Sequence, residues 1–466
     1  MTFKVIIIGG GLSGSLLANG LVNNNVEVKL YEKDAVDSKR GGYQIRLGEA
    51  AMKGFEACLT RDQTAKVMSQ LGQSVGAASN SPSIYTSSYR LLLDLTKLPF
   101  YSKSSAINRV VLRDTLLAPI VEKGLVRFGM SFSHYEIVNV VGKEKVKVYF
   151  VNGEEDLCDV LVAADGSASK INKQLGANNL VQITSHWSFL TKTPVPAHKI
   201  KDIPIQLQKG PIIVLSKGVS LYFALYLPPK EWGAATASKT KSSVEYDEQA
   251  SSIYWALGIP VEEILYKNPL EIPDRRRFCL DYIKHWAPEF TEMLSAGSEE
   301  EEIHLTMLRA SKELPKSWRA EASKSEQKTL VNGVGSDGGV RGEGRGHPRV
   351  WLIGDAVHAM QPFRGMGGNQ AMQDCHDMLP ELLRLAQSRT GTGPSTKDIS
   401  TACERYENAM MKRAFKWVKK SGGVSTPNLD FDGALGYVIL VLGKIVIPVA
   451  AVYYTLLSRF GRATEE

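Results

Sequence analysis

The stretch KVIIIGGGLSGSLLANGLVNNNVEVKLYEKD, residues 4–34, limits what this chain can fold into more than any other. An apolar strand runs directly into Gly9-x-Gly11-x-x-Gly14, residues at helical periodicity follow, and a second strand ends at Glu32. Glycines at this spacing allow a tight turn and a close approach of the backbone to a ligand. The N-terminus of the helix attracts a pyrophosphate, and the acidic residue can hold an adenosine ribose. The unit predicts a Rossmann-type α/β domain that binds a dinucleotide through Gly9, Gly11, Gly14 and Glu32. The alternative is a glycine-rich turn in an unrelated α/β domain.

The 466 residues, 43% of them hydrophobic, suffice for two or three domains with sizeable cores. The net charge of +7 comes from Lys and Arg interleaved with Asp and Glu, with no basic helix or aromatic-basic strand, which argues against nucleic acid. The 5 cysteines contain no C-x-x-C and indicate neither a disulfide framework nor zinc, so a reducing compartment is expected. The apolar run at the N-terminus is too short for a signal peptide. The 8 histidines form no metal constellation, and neither H-E-x-x-H nor G-x-S-x-G occurs.

Two further strands deliver polar residues to their ends. INRVVLRDTLLAPI, residues 107–120, reads as a helix with Arg109 at its start and Arg113 one turn later, either of which could be a solvated charge. Alternating residues with an Asn152-Gly153 turn then lead to VLVAADG, which ends at Asp165 and Gly166. WLIGDAVHAMQPFRGMGGNQAMQD, residues 351–374, brings Asp355 to a third strand end, followed by Pro362 and the loop Gly365-Met366-Gly367-Gly368-Asn369 that opens a helix. Ligands of open α/β sheets sit outside the carboxyl ends of the strands, so the three ends should converge on one site.

Over about residues 1–400, this ordered set of motifs resembles the class A flavin-dependent monooxygenases, which include the aromatic hydroxylases and many fungal natural-product epoxidases. The resemblance implies a para-hydroxybenzoate hydroxylase-like fold. Its discontinuous FAD-binding domain would comprise 1–73, 104–180 and 304–395, interleaved with a sheet-containing substrate domain, 74–103 and 181–303, and followed by a helical C-terminal tail. It also implies roles for residues. Gly9, Gly11 and Gly14 lie beneath the FAD pyrophosphate, Glu32 holds the ribose, Arg109 contacts FAD, and Asp165 lies in the same site. Asp355 binds the ribityl chain, while Pro362, Gly365, Gly367, Gly368 and Asn369 lie along the flavin ring. NADPH or NADH would reduce FAD, O2 would react to give the flavin C4a-hydroperoxide, and one oxygen would pass to the substrate. A glycine loop at a helix N-terminus suits that chemistry, because its amides and dipole face the negative charge near N1 and C2 of reduced flavin. His358 is expected to support structure. Asn172 stands where the family usually has an arginine.

The substrate domain carries candidates of a different kind. GPIIVLSKGVSLYFALYL reads as a hairpin turning at Lys217-Gly218, and in the family such a sheet roofs the flavin. Tyr222 and Tyr226 are candidate catalytic residues or core tyrosines, and Arg46 is a pocket residue or a surface one. YWALGIP, residues 254–260, partly matches the flavin halogenases' W-x-W-x-I-P, which makes halogenation a rival reading. A non-catalytic flavoprotein is another.

Residues 323–348, Gly-rich and polar, read as a disordered loop, and 396–466 as a helical region. Within it, LGYVILVLGKIVIPVAAVYYTLL, residues 435–457, is long enough to cross a bilayer despite Lys444 and Pro448. Five cations precede it and Arg459 and Arg462 follow, so a membrane-associated protein facing the cytosol is expected. The alternative is a helical element docked on the flavin domain. A hydrophobic tail suits a lipophilic secondary metabolite, with alkene epoxidation the leading reaction and phenol hydroxylation the runner-up.

Overall fold

Lys4–Ile8 is the central strand of a five-stranded parallel sheet ordered Val350–Leu352, Val160–Ala163, Lys4–Ile8, Glu27–Tyr31, Val126–Arg127. Helices and the antiparallel strands Phe132–Val140, Lys143–Phe150 and Glu155–Cys158 cover the sheet, which explains the continuous apolar strands: Ile6, Ile7, Leu161 and Val162 are fully buried. Leu12–Asn23, Arg109–Glu122 and Gly367–Ala386 contribute to the same core. In this computed structural model the described residues are 3–36, 38, 44–71, 81–95, 105–195, 197–200, 203–227, 251–296, 301–331, 344–388, 393–425 and 428–459. Parts of the expected substrate segments, 74–80, 96–103 and 228–250, lie outside them.

A second sheet has seven strands, ordered His304–Thr306, His186–Pro194, Ser252–Pro260, Val219–Tyr226, Ile212–Ser216, Ser83–Tyr85, Leu91–Asp94. Lys217 and Gly218, both at positive φ, make the tight turn expected between two of them. The 304–306 strand pairs with Ser188–Leu190, so this sheet takes residues that the sequence placed in the dinucleotide domain. One face is closed by Arg275–Ile283 and Pro288–Ser295, with Phe189, Phe223, Trp255 and Leu257 packed beneath them. Trp255, the tryptophan of the halogenase-like motif, is therefore locked in this closed core. On the opposite face, Leu190, Lys192, Tyr222, Ala256, Ile213 and Leu215 form a half-accessible surface.

Two expectations for the later part of the chain need correction. The first portion of the 323–348 loop is helix, because Trp318–Val331 forms a continuous helical element. SWRAEASKSEQKTLV contains no Gly or Pro, and its start is anchored by Arg319, which pairs with Glu407 and donates to the Gly346, His347 and Val350 carbonyls. Residues 332–343 of that loop lie outside the described residues, and 344–348 form a turn.

Residues 435–457 belong to one helix, Ala434–Arg459, that lies against the seven-stranded sheet. Among the described residues no helix is long and apolar enough to cross a membrane, so the transmembrane expectation finds no support here. Leu440 packs with Leu92 and Phe431, and glycines permit a close approach: a Cβ at Gly443 would meet Leu93 at 2.7 Å. Only the side around Leu440 packs in this way, and Tyr437, Val438, Leu442, Ile445, Val446, Val449, Val452 and Tyr453 stay exposed.

Candidate functional site

The parallel strands end at Ile8, Ala163 and Leu352, and the polar residues just beyond them share one edge. Gly9 has φ +110° and carries the chain across Ala164, whose carbonyl oxygen would be 2.3 Å from a Cβ. A Cβ on Gly14 would sit 2.0 Å from the Gly9 oxygen, so this glycine sets the spacing between helix and strand. Gly11 differs from both, with nothing within 4 Å of where its Cβ would be. It is the N-cap of Leu12–Asn23, no side chain caps it, and the first turn holds no acidic residue. The amides of that turn therefore face an open, positively polarised space.

Glu32 is buried, and its Oε2 accepts from the Gly10 amide at 2.8 Å. Arg113 Nε donates to the Gly10 carbonyl at 2.7 Å, and a guanidinium nitrogen lies 3.8 Å from Glu32. The arginine that the sequence left as a possible solvated charge thus braces the turn. Arg109, at the start of its helix, acts electrostatically on Asp355.

Asp355 is solvent-accessible yet hemmed in by protein, as at the floor of a crevice. That enclosure pushes its carboxyl up, with His358 and Arg109 pulling it back. Asp165 is also pushed up by burial. Its Oδ2 accepts from the Lys170 amide at 3.1 Å, while its buried Oδ1 has no hydrogen-bond partner. Pro362 and Gly365 are exposed, Gly365 has φ +62°, and no atom lies within 4 Å of its Cβ position. Gly367 faces Asp355 and Gly368 faces Leu12 and Ile45, at 3.4 Å or more from a Cβ position. Asn369 is a clip: its amide group donates to the Arg46 and Gly365 carbonyls at 2.6 and 3.1 Å, and its oxygen accepts from the Gly48 amide at 2.7 Å. An uncapped helix end, an orphan carboxylate oxygen, an accessible carboxylate and a bare backbone ledge fit a dinucleotide that carries a flat ring.

Behind the ledge, Asp374 is fully buried and binds the Gly354 amide, His358 at 2.6 Å and Arg413 at 2.7 Å. Burial pushes its carboxyl up, but His358 and Arg413 prevail and hold it below the usual range. His358 is itself fully buried, which gives it the supporting role expected. Asn172, standing where an arginine was expected, is buried and donates to Asn179 and the Ala356 carbonyl, both at 2.8 Å. It joins the Asp165 segment to the Asp355 segment. Asp374, Arg413 and Asn172 were not singled out as site residues; their only sequence signal was a polar residue in a segment destined for burial.

The half-accessible face of the seven-stranded sheet borders the strand pair Gln44–Leu47 and Ser105–Asn108, which Asn369 ties to the ledge. Arg46, in the Gln44–Leu47 strand tied down by Asn369, exerts its field on Tyr222. Burial pushes the Tyr222 hydroxyl up to about 12, with Arg46 acting in the opposite direction. Tyr226 does not fit a catalytic role, because it is 1% exposed and its hydroxyl donates to the Gln70 carbonyl at 2.8 Å. No group of His, Cys, Asp and Glu among the described residues could hold a metal ion.

Comparison with known proteins agrees with this geometry. Residues 340–407 match the profile of a family described as an FAD binding domain. The FAD-dependent monooxygenase dbaB of Emericella nidulans is 27% identical over 386 residues, covering 80% of this chain and 85% of that one. Chloroplastic zeaxanthin epoxidase of Prunus armeniaca is 23% identical over 88% of this chain, which spans only 53% of that protein. The crystal structure of Klebsiella pneumoniae HpxO complexed with FAD and uric acid shares the fold, with a TM-score of 0.63, 17% identity and 96% coverage of both chains.

Proposed function

We propose that this chain, a class A FAD-dependent monooxygenase, uses NAD(P)H and O2 to epoxidise an alkene in a lipophilic secondary metabolite. The observation that carries the reading is the half-accessible sheet face, where Leu190, Ala256 and Ile213 surround Tyr222 with apolar surface. A surface of this composition suits an apolar substrate held by few polar contacts. FAD, when bound, supplies the redox and oxygen chemistry.

The chain's own residues bind and shape. The Leu12–Asn23 amides and Gly11 receive a pyrophosphate, Glu32 and Arg113 hold the turn, and Asp355 offers a carboxylate to the ribityl hydroxyls. The Gly365–Gly368 backbone would lie along a bound flavin, and the helix that it opens would offer its positive end to negative charge there. The seven-stranded sheet excludes water from above. Hydroxylation of a phenol is the second reading, favoured by Arg46 and Lys192 at the same chamber, since cations suit a phenolate. The proposal includes a catalytic body that faces the cytosol, where NAD(P)H is supplied.

The test is NADPH oxidation by FAD-loaded protein with a conjugated polyene and, separately, with a simple phenol, followed by product mass. Faster oxidation with one oxygen gained by the polyene is expected. Oxygenation of the phenol alone would move the assignment to hydroxylation, and a halide-dependent mass would move it to halogenation.

A further inference from the structure

Lys192 is a cation on a face that otherwise consists largely of apolar and aromatic residues. Side chains of its strand alternate: Trp187, Phe189, Thr191 and Thr193 are buried on the closed side, whereas Leu190 and Lys192 are half-accessible on the chamber side. The register sets Lys192 opposite Tyr254 and, one step along, Leu190 opposite Ala256, which in turn faces Tyr222. Tyr254 and Tyr222 lie with ring centroids 6.0 Å apart, so lysine and both tyrosines form one continuous patch.

Among the described residues, the Lys192 ammonium makes neither a hydrogen bond nor an ion pair. Glu301 is the acid acting on it, from beyond salt-bridge distance, and burial pushes the ammonium pKa down. A half-buried cation without a partner has an unfavourable desolvation term that an incoming anion would offset. Arg46 borders the far side of the patch through Tyr222 and adds to the positive potential there.

We propose that Lys192 and Tyr254 form a subsite for an anionic oxygen of the substrate, which fixes the double bond relative to the flavin ledge. The subsite rests on the reading of this face as the substrate chamber. The substrate class is thereby narrowed to lipophilic alkenes that carry an ionised acid group, with the acid on the Lys192 side and the apolar body along Leu190, Ala256 and Tyr222. Lys192 acts as a specificity-determining residue and takes no part in oxygen transfer.

The experiment uses FAD-loaded full-length protein and two probes, all-trans-retinoic acid and its methyl ester, with binding read from the perturbed visible spectrum of the bound flavin. The wild type should bind the acid about tenfold or more tighter than the ester. Lys192→Met should bring that ratio close to one by weakening the acid alone, while Lys192→Arg should keep the preference. Bound FAD content and thermal melting of each variant control for folding. Equal binding of acid and ester by the wild type, or a preference that survives Lys192→Met, would overturn the subsite and leave the chamber reading intact. If neither probe perturbs the flavin of the wild type, the chamber reading fails and the subsite falls with it.

Discussion

Single methyl groups added at Gly11 and Gly14 should separate the two tasks of the glycine turn. At Gly14 the new carbon would lie 2.0 Å from the Gly9 carbonyl oxygen and 3.1 Å from the Ala164 methyl, and contacts under 3.0 Å are essentially never adopted. Helix and strand must therefore part by about 1 Å against a packed sheet, and overpacking of this kind costs about 1–3 kcal/mol. At roughly 2–4 °C per kcal/mol for a domain of this size, Gly14→Ala should lower the Tm of the FAD-free protein by several degrees. Gly11→Ala meets no atom within 4 Å, and its φ of −78° and ψ of −169° suit alanine. Its FAD-free Tm should stay within the change of about 0.5 kcal/mol typical of surface substitutions. Its FAD affinity should nevertheless fall about tenfold or more, or about 1.4 kcal/mol, because the methyl enters the space in front of the uncapped amides. Differential scanning fluorimetry and titration of flavin fluorescence read the two quantities independently. Wild-type FAD affinity in Gly11→Ala would refute the placement of the pyrophosphate at this turn.

Asp374→Asn should destabilise the protein by about 3–5 kcal/mol, since it breaks a buried pair, leaves His358 without its carboxylate and leaves Arg413 with the Asp377 carboxylate alone. Because the folded Asp374 is held below the usual carboxylate range, its contribution is present above the unfolded value of about 4 and is lost as the pH falls through the lower folded value. Melting curves from pH 7 to pH 3 should accordingly show a wild-type acid decline that is shallower in the variant, and parallel declines would contradict the pairing. Tyr226→Phe should cost about 1 kcal/mol through the lost bond to Gln70 and leave turnover unchanged, whereas Tyr222→Phe should change turnover or substrate affinity. Steady-state kinetics of both variants would decide between them, and equal loss in the two would return Tyr226 to the site.

The sequence by itself determined the dinucleotide half of this protein because its signals are local. Gly9, Gly11 and Gly14 are set by backbone sterics within one turn, and Asp165 and Asp355 each follow an apolar strand, so spacing along the chain maps directly onto the sheet edge. The hairpin at Lys217-Gly218 was legible for the same reason, since two residues of positive φ suffice to reverse a strand. Residues that act across long separations were not legible. Arg113 could be told from a solvated helix charge only once it reached Gly10 and Glu32, and Tyr226 from a pocket residue only once its hydroxyl met Gln70. The hydrophobic segment 435–457 reads as bilayer-length from composition, yet what an apolar helix buries against depends on the surface that the rest of the fold leaves uncovered. Here that surface is the edge strand Leu91–Asp94, met through Leu440 while much of the helix stays exposed, and only the tertiary structure brought the two together. Lys192 illustrates the same limit. A lysine in an alternating strand carries no sign of which face it takes, and the cross-strand register to Tyr254 is what turns it toward the chamber.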